Sequence, residues 1–326
     1  MTKKLVFLGM GGTIAGTAAS AADNVGYRAA QVGVDQLLQA IPTLGTALGC
    51  HELVSEQVAQ VDSKDMAFTH WKALALRVCH HLAQADVSGL VITHGTDTIE
   101  ETAFFLSQVV PTALLASKAV VLACAMRPAS SMSPDGPRNV LDAVALACTE
   151  GAKGVMVVCA GTIHTAQHVQ KIHPYRLDAF DSGDAGPIGY VEEGVVRLTY
   201  PWPKTEDVRR PITLEKMAQA AWPRVEIVTS YVGASGAIVR ALCSAPQGSE
   251  GPLRGLVVAG TGNGTIHADL DVALREAQAM GVKVVRSTRC AWGQIVPPSV
   301  LGDGFSHFEG LSPVKARIAL ILELLA

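Results

Sequence analysis

The sequence predicts an α/β protein with a larger N-terminal parallel-sheet domain and a smaller C-terminal α/β domain. Short apolar runs alternate with helical patterns along the chain, and several of these runs are apolar throughout. Strands that alternate with helices indicate βαβ units, and continuously apolar strands are typical of a parallel sheet covered on both faces. The length of 326 residues, long for one compact core, favours two domains.

The predicted elements follow that alternation from end to end. Strands are predicted at the short apolar runs 4–9, 89–93, 119–124, 154–160, 225–229, 255–259 and 282–286. Helices are predicted at the amphipathic segments near 34–41, 66–85, 98–109, 137–149, 236–244 and 269–280. Ser312 and Pro313 predict the N-cap and the first turn of a final helix.

The domain boundaries are predicted from one segment without periodicity. Residues 199–213 are rich in proline and charge, so they predict an interdomain linker. The larger domain is therefore expected at 1–198 and the smaller domain at 214–326.

Composition limits the partners and the compartment. A net charge of -3 gives no electrostatic footprint for nucleic acid or for an anionic membrane. Seven cysteines, an odd number without a CxxC pair, indicate free thiols in a reducing compartment. The first apolar run stops at Gly9, which is short for a signal peptide, and no run approaches the ~18–20 apolar residues of a membrane span. We therefore expect a cytoplasmic protein that binds neither nucleic acid nor membrane.

Polar residues follow three of the predicted strands, where α/β sheets bind their ligands. Thr13 follows a glycine-rich turn, Thr96 and Asp97 follow the strand at 89–93, and a third polar strand end leads to Lys171. A threonine hydroxyl is a poor nucleophile until a base or a hydrogen-bond relay takes its proton. A carboxylate beside the hydroxyl and a lysine within reach would supply that relay.

The glycine-rich turn allows other interpretations. Gly9, Gly11 and Gly16 form a loose GxGxxG, but the third glycine of a dinucleotide-binding loop should stand where Ile14 stands. A plain tight turn is the structural alternative. The glycines could instead let backbone N–H groups approach a ligand and leave Thr13 exposed at the tip.

Two further polar patterns also have structural alternatives. In the segment 93–101, a capping box formed by Asp97 with Glu100, or by Thr98 with Glu101, would explain one of the polar side chains but not all of them. The local sequence therefore leaves capping and function both open. A second pattern, H-x3-H-x4-H, has the spacing of a metal site but lacks an HExxH partner, so we expect neither metal nor cofactor. Its histidines are His164, His168 and His173.

Two segments carry a resemblance to a known family. "GGTIAG" at 11–16 and "THGTDTIEETAFFL" at 93–106 resemble the signatures of bacterial L-asparaginases of the cytoplasmic type, in the glutaminase-asparaginase family with threonine nucleophiles. The likeness continues, in the family's order and over nearly the whole chain, at "SKDM" (63–66), "AMRPASSMSPDGPRNVLDAV" (125–144), "HVQK" (168–171) and "GTGNG" (260–264).

The resemblance implies a fold and an activity. The fold would be asparaginase-like, with flavodoxin-like topology. The activity would be hydrolysis of L-asparagine to L-aspartate and ammonia without a cofactor. The alternatives are a broader glutaminase-asparaginase that also takes L-glutamine, a hydrolase of another amide, and, from a different class, a non-catalytic amino-acid sensor. A nicotinamide-dependent oxidoreductase would rest on the defective GxGxxG alone.

The resemblance also implies the roles of five residues in catalysis. Thr13 matches the nucleophile that forms the acyl-enzyme, and Tyr27 matches the tyrosine of a mobile loop that closes over the substrate. Thr96, Asp97 and Lys171 match the group that polarises the hydroxyls and positions water. Splitting a stable amide needs such a nucleophile and relay.

Further matches imply the contacts with substrate. Ser63 matches a ligand of the α-carboxylate, Asp97 matches the ligand of the substrate ammonium, and Thr96 lies beside it. Asn263 matches a residue that reaches into a neighbouring subunit's site, which implies a homotetramer built as a dimer of dimers.

Three departures from the family pattern affect the pocket. Lys64 stands where glutamine or glutamate is usual, so a fixed cation is expected to shift the Michaelis constants for asparagine and glutamine. "CAGT" at 159–162 lacks the usual Asn-Asp pair. The segment 286–296 offers no match for the acidic residue that a partner chain donates.

Overall fold

The computed structural model describes residues 2–203, 214–244, 251–296 and 304–326. The chain divides into two compact units, Met1–Leu214 and Glu215–Ala326. From residue 204 onward, the predicted linker 199–213 lies outside the described residues, and the boundaries at 198 and 214 stay a prediction. Among the described residues, no helix has both the length and the apolar character needed to cross a membrane.

The first unit alternates strands and helices. Its strands are β1 (Lys4–Gly11), β2 (Glu52–Val61), β3 (Val87–Thr93), β4 (Ala119–Ala123), β5 (Gly154–Cys159), β6 (Thr162–Thr165), β7 (Gln170–Lys171), β8 (Phe180–Asp181), β9 (Gly189–Glu192) and β10 (Val195–Leu198). Its helices are α1 (Val34–Gln39), α2 (Leu44–Leu48), α3 (Phe68–Leu82), α4 (Ile99–Val109), α5 (Thr112–Leu115) and α6 (Gly136–Cys148).

Eight of these strands form one sheet, in the order β2-β1-β3-β4-β5-β6-β9-β10. The first five pair in parallel, and β6, β9 and β10 continue the sheet antiparallel. The order 2-1-3-4-5 is that of a flavodoxin-like doubly wound sheet. The predicted fold class is therefore confirmed for this unit.

The central strands are apolar throughout because both of their faces are buried. Leu5 and Phe7 of β1 belong to a core cluster with residues of α1, α2 and α6. The alternate residues Val6 and Leu8 point to the other face and are equally buried. Helices α3 and α4 also pack on the sheet, and they join each other where the Trp71 ring stacks on a phenylalanine of α4. Burial on both faces accounts for the continuous apolar pattern that predicted these strands.

Within the eight-stranded sheet, the strands that the sequence did not predict are β2 at one edge and β6, β9 and β10 at the other side. Strand β2 is an edge strand whose residues are mostly half-buried or exposed. Strand β10, at the opposite edge, is exposed along most of its length. Because edge positions need not be apolar, a search for apolar runs misses them.

The second unit has a smaller parallel sheet in the order β11-β12-β13-β14. Its strands are β11 (Arg224–Thr229), β12 (Leu253–Gly260), β13 (Lys283–Thr288) and β14 (Ser306–His307). The helices from residue 214 onward are α7 (Leu214–Gln219), α8 (Ala237–Ser244), α9 (Ala268–Ala279) and α10 (Pro313–Leu325). A smaller C-terminal α/β domain was predicted, and it is confirmed.

Helix α10 begins at Pro313, as the sequence predicts. The cap itself differs from the prediction. Ser312 occupies the N-cap position, but its side chain makes no capping hydrogen bond, and its buried hydroxyl oxygen has no partner among the described residues. The fixed backbone angle of proline is thus enough to start the helix here.

Candidate active site

The candidate site lies at the carboxyl ends of β1 and β3, which are neighbours in the sheet. Their register pairs Gly9 with Thr93, so the residues that follow each strand leave the sheet side by side. The order of the strands reverses between β1 and β3, because β2 lies beyond β1 while β4 and β5 lie beyond β3. Ligands of doubly wound sheets bind at such a switch point.

Two glycines bring the two strand ends into backbone contact. Gly12 has a φ of +83°, and a Cβ on it would lie 2.3 Å from the Gly95 Cα. A Cβ on Gly95 would lie 2.4 Å from the Ser63 Oγ. No side chain fits at either position, so glycine is required for the two turns and Ser63 to meet. Thr13 follows Gly12 and Thr96 follows Gly95. The backbones that carry these two threonines are therefore adjacent.

Thr13 is covered instead of exposed at the tip of its turn. Only 6% of the residue is accessible, and its Oγ1 lies 2.7 Å from the Tyr27 hydroxyl, within hydrogen-bonding distance. Tyr27 belongs to a loop whose two arms are joined by an antiparallel bridge between Thr17 and Arg28. The expectation of an exposed Thr13 was wrong, because this loop folds back over the hydroxyl.

Lys171 joins the second group of predicted residues. Its Nζ donates hydrogen bonds to the Thr96 Oγ1 at 2.9 Å and to the Asp97 Oδ1 at 2.6 Å. Thr96 is buried, whereas 52% of the Asp97 side chain is exposed, so the carboxylate remains open to a ligand. The backbone N–H of Lys171 donates to the Glu100 Oε2 at 2.6 Å, which fixes the lysine against the first turn of α4.

Ser63 makes two hydrogen bonds with the same turn. Its Oγ accepts a hydrogen bond from the Asp97 backbone N–H at 3.2 Å, and its carbonyl oxygen accepts one from the Thr98 hydroxyl at 2.8 Å. Thr98 is the N-cap residue of α4, yet its side chain makes no capping bond. The capping-box interpretation was therefore wrong, since the Thr98 hydroxyl is used to hold Ser63 and the Glu100 carboxylate to hold Lys171.

A buried hydrogen-bond chain supports the Gly95 peptide. The His94 Nδ1 lies 2.8 Å from the Gly95 carbonyl oxygen, which can only accept, so Nδ1 carries the proton. The His94 Nε2 then accepts from the Thr102 hydroxyl at 3.0 Å, and the Thr102 Oγ1 accepts from the Trp71 indole N–H at 2.9 Å. Every donor in this chain has an acceptor, which locks the turn that carries Thr96. Sequence reasoning did not identify this role of His94.

Burial keeps His94 neutral, and this predicts an acid-sensitive fold. Complete desolvation lowers the pKa of His94 from 6.5 to about 4. A folded-state pKa below that of the unfolded chain gives stability that is present above about pH 6.5 and is lost as the pH falls towards 4. The loss expected from this residue is about 3 kcal/mol.

The His94→Gln variant, which cannot titrate, provides the control for that prediction. We expect the unfolding free energy of the wild type to fall more steeply than that of the variant between about pH 7 and about pH 4. Denaturant titrations at several pH values measure the difference. Parallel curves for the two proteins would show that His94 is not a buried neutral imidazole.

The Lys64 ammonium is paired within its own turn. It lies 2.5 Å from an Asp65 carboxylate oxygen and 3.1 Å from one of Asp62, with 61% of its side chain exposed. The hydrogen bonds to Asp65 and Asp62 raise the pKa of Lys64. The fixed cation expected from the sequence therefore has two counter-ions, which weaken its field on any neighbouring ligand.

Asn263 belongs to the second unit and is engaged there. Its Nδ2 donates to the Val296 carbonyl oxygen at 2.9 Å, and its Oδ1 accepts from the Val296 N–H at 2.8 Å. The amide thus holds the Val296 backbone in place through two hydrogen bonds. Its predicted contact with a neighbouring subunit's site stays a prediction.

The histidine spacing that suggested a metal has another explanation. His164 is buried, and its Nδ1 lies 2.8 Å from the Ser182 Oγ. The His168 Nδ1 lies 3.1 Å from the Thr165 Oγ1. In the part of the chain that the structure describes, no group of three or more His, Cys, Asp or Glu side chains could hold a metal ion.

Comparisons with known proteins agree along nearly the whole chain. The model of the family "Asparaginase, N-terminal" matches residues 4–204, and that of the "Glutaminase/Asparaginase C-terminal domain" matches residues 224–326. The chain is 35% identical to the L-asparaginase 2 of Escherichia coli K12, over 98% of this chain and 88% of that protein. It is also 35% identical to the glutaminase-asparaginase of Pseudomonas fluorescens biotype A, over 98% and 86%.

A solved structure extends the likeness to three dimensions. The crystal structure of a probable cytoplasmic L-asparaginase from Campylobacter jejuni superposes with a TM-score of 0.87 at 36% identity, covering 99% of this chain and 95% of that one. The family expected from the two signature segments is thus confirmed by both domains and by the fold. The chain belongs to the glutaminase-asparaginase family.

Proposed function

We propose that this protein is an L-asparagine amidohydrolase that works by double displacement through Thr13. The observation that carries the proposal is the placement of two partnered threonine hydroxyls at the β1–β3 switch point, each next to one of the two glycines whose backbones are in contact. Thr13 is hydrogen-bonded to Tyr27, and Thr96 is hydrogen-bonded to Lys171. The names of its relatives, L-asparaginase and glutaminase-asparaginase, support the substrate class.

In the first step, Thr13 Oγ1 attacks the side-chain amide carbon of asparagine. The new C–O bond replaces the C–N bond, and the threonine proton reaches the leaving nitrogen by way of the Tyr27 hydroxyl, which gives ammonia. The 2.7 Å contact between these two oxygens supports this route. An ester between the aspartyl group and Thr13 remains.

In the second step, water hydrolyses that ester. Lys171 holds Thr96 and Asp97 in one array, which would orient the water and draw off its proton. The water oxygen forms a new bond to the acyl carbon, the bond between that carbon and Thr13 Oγ1 breaks, and the proton taken from water is passed on to Thr13 Oγ1 as aspartate leaves. The half-exposed Asp97 carboxylate would also pair with the α-ammonium of the substrate, and Ser63 would lie near the α-carboxylate.

Ammonia release without added metal or cofactor tests the proposal. We expect turnover of L-asparagine, with L-glutamine slower and D-asparagine slower still. Comparable rates for asparagine and glutamine would favour the broader glutaminase-asparaginase, a candidate that the Pseudomonas relative's name supports. No release from any of the three amides, with saturable asparagine binding, would favour the amino-acid sensor.

The pairing of Lys64 predicts a modest role in substrate preference. Because Asp62 and Asp65 neutralise its ammonium, Lys64→Gln should change the Michaelis constants for asparagine and glutamine by less than about threefold. The turnover number should stay within a similar range, since an exposed paired charge acts alike on ground and transition states. Steady-state kinetics with both amides measures this. A shift beyond about tenfold would mean that Lys64 leaves its counter-ions and contacts the substrate.

The proposal includes a homotetramer, built as a dimer of dimers, in the cytoplasm. The oligomer rests on the match of Asn263 to a residue that works across an interface. The compartment is supported by the likeness to a probable cytoplasmic enzyme and by the state of the seven cysteines, all of them described, which are free thiols. Analytical ultracentrifugation with an activity assay on each fraction should find activity in the tetramer. Full specific activity in a monomer would rule the assembly out as a requirement.

A further inference from the structure

The loop that carries Tyr27 spans residues 16–28, and its first arm is anchored to another segment of the same unit. Three hydrogen bonds of 2.8–3.0 Å join that arm to residues 129–132. One of them uses a side chain, because the Ser130 Oγ accepts from the Ala18 N–H. The second arm, which ends in Tyr27, has a support of its own.

Asp23 shapes the turn immediately before Tyr27. Its Oδ1 accepts hydrogen bonds from the Val25 N–H at 2.9 Å and from the Gly26 N–H at 2.7 Å. A carboxylate that accepts from backbone N–H groups two and three residues further on fixes the turn between them. The N–H groups of Gly26 and Val25 also lower the pKa of Asp23, so the carboxylate is ionised at neutral pH and these hydrogen bonds are charge-assisted.

Gly26 leaves the room that this carboxylate needs. A Cβ on Gly26 would lie 2.4 Å from the Asp23 Oδ2, and the three atoms nearest to it would all belong to Asp23. The φ of Gly26 lies outside the left-handed region, so the backbone conformation does not require glycine. The close approach of the carboxylate is therefore the reason for a glycine at this position.

The turn decides how Tyr27 reaches Thr13. The two hydroxyl oxygens lie 2.7 Å apart, although residues 19–23 and 25–26 of the loop are exposed. An exposed loop buries little apolar surface, so its hydrogen bonds must hold it in place. A displacement of about 1 Å at a reacting group can lower a rate by about 10²-fold. The position of the Tyr27 hydroxyl therefore depends on the turn that precedes it.

We propose that Asp23 is a positioning residue, whose carboxylate fixes the turn 23–26 and so holds the Tyr27 hydroxyl on Thr13. The inference rests on the proposed function, in which Tyr27 passes the Thr13 proton to the leaving nitrogen. The hydrogen bonds of the Asp23 carboxylate stay within the loop, so its effect on turnover passes through Tyr27.

Two substitutions at Asp23 separate geometry from charge. Asp23→Ala removes the acceptor, and we expect the turnover number for asparagine to fall at least ~5-fold. Asp23→Asn keeps a carbonyl oxygen that can accept from the same two N–H groups, so it should stay within ~2-fold of the wild type. Wild-type turnover in Asp23→Ala would overturn the proposal. Equal losses in both variants would overturn it too, because charge and not the turn would then matter.

Ser20 provides the matched control in the same exposed loop. Its Oγ accepts from the Ala22 N–H at 3.3 Å and makes no hydrogen bond to the turn before Tyr27 among those observed. Ser20→Ala should therefore keep the turnover number within ~2-fold. A loss as large as that of Asp23→Ala would show that turnover responds to any change in the loop, which would overturn the specific role of Asp23.

A double-mutant cycle with Tyr27→Phe shows whether Asp23 acts through the hydroxyl. Tyr27→Phe should lower the turnover number, and the addition of Asp23→Ala should lower it by less than ~2-fold more. A role of Asp23 in overall stability would give the same loss in both backgrounds. Fully additive losses would therefore overturn the proposal.

Tryptic cleavage after Arg28 provides a readout that does not depend on turnover. Arg28 is exposed and its backbone pairs with Thr17, so cleavage requires local opening of the loop. Asp23→Ala and Gly26→Ala should each raise the cleavage rate at least ~5-fold, and the double variant should be within ~2-fold of either, because both changes remove the same hydrogen bonds.

The cleavage assay also distinguishes a failure of this inference from a failure of the proposed function. Wild-type cleavage rates in both Asp23→Ala and Gly26→Ala would overturn the role of Asp23, whatever the substrate is. A wild-type protein that releases no ammonia from asparagine would instead contradict the proposed function, and the cleavage rates would still decide whether Asp23 holds the loop.

Discussion

Thr13→Ala should reduce ammonia release from asparagine by at least ~10³-fold, because no other group can take over a covalent nucleophile in place. The fold should survive. The lost hydroxyl makes one observed hydrogen bond, to Tyr27, whose removal costs about 1 kcal/mol, and Tyr27 itself can turn to water because it is half-exposed. Single-turnover assays and thermal unfolding of the same preparation measure the two effects separately.

A nearby threonine provides the control for this substitution. Thr17 lies four residues further along the same turn and bridges to Arg28 through its backbone. Thr17→Ala should therefore keep the turnover number within a few-fold. If Thr13→Ala retained more than about a tenth of the wild-type turnover number, a barrier change under ~1.4 kcal/mol, Thr13 could not be the nucleophile.

Lys171→Met and Thr96→Val should each lower the turnover number by ~10²–10⁴-fold, and the double variant should be little worse than either single one. The 2.9 Å and 2.6 Å hydrogen bonds make Thr96, Asp97 and Lys171 one unit. Removing any member of such a unit removes most of its effect, as double-mutant cycles in other hydrolases show. Strictly additive losses would separate Lys171 from Thr96.

Thr98 supplies the matched control for that cycle. Its hydroxyl donates to the Ser63 carbonyl oxygen at 2.8 Å and belongs to the same turn. Thr98→Val combined with Lys171→Met should give losses that add in free energy, because the two side chains share no hydrogen bond among those observed. Equal coupling for Thr96 and Thr98 would mean that the turn as a whole, not the Thr96–Lys171 bond, is disturbed.

Much of the fold can be predicted from the sequence, because a strand that is buried on both faces is apolar at every position. Strands β1, β3, β4 and β5 were found as apolar runs, and they are the central strands of the first sheet. Strand β2 and the antiparallel strands were missed, because their pairing leaves residues half-exposed and therefore variable in polarity. A pattern of burial predicts the middle of a sheet better than its edges.

The reactive residues of the candidate site could be predicted from the sequence. The residues that hold them in place by hydrogen bonds could be predicted less well. Thr13, Thr96 and Lys171 stand out as polar residues at strand ends, but their partners are distant in the chain. The Glu100 carboxylate accepts a hydrogen bond from the Lys171 backbone N–H, although the two residues are 71 positions apart in the sequence. No local sequence pattern indicates such a contact. The pairing of Lys64 differs, because its acidic neighbours at 62 and 65 were visible in "DSKD" and could have signalled it.

The central claim is that Thr13 carries the acyl group, and peptide mapping of the acid-quenched enzyme tests it most directly. Wild-type protein would be mixed with saturating asparagine, quenched in acid within the first turnovers, digested and sequenced by mass spectrometry. We predict an aspartyl ester on the peptide that contains Thr13, and its loss in Thr13→Ala. An ester on the peptide that contains Thr96, with Thr13 unmodified, would contradict the account.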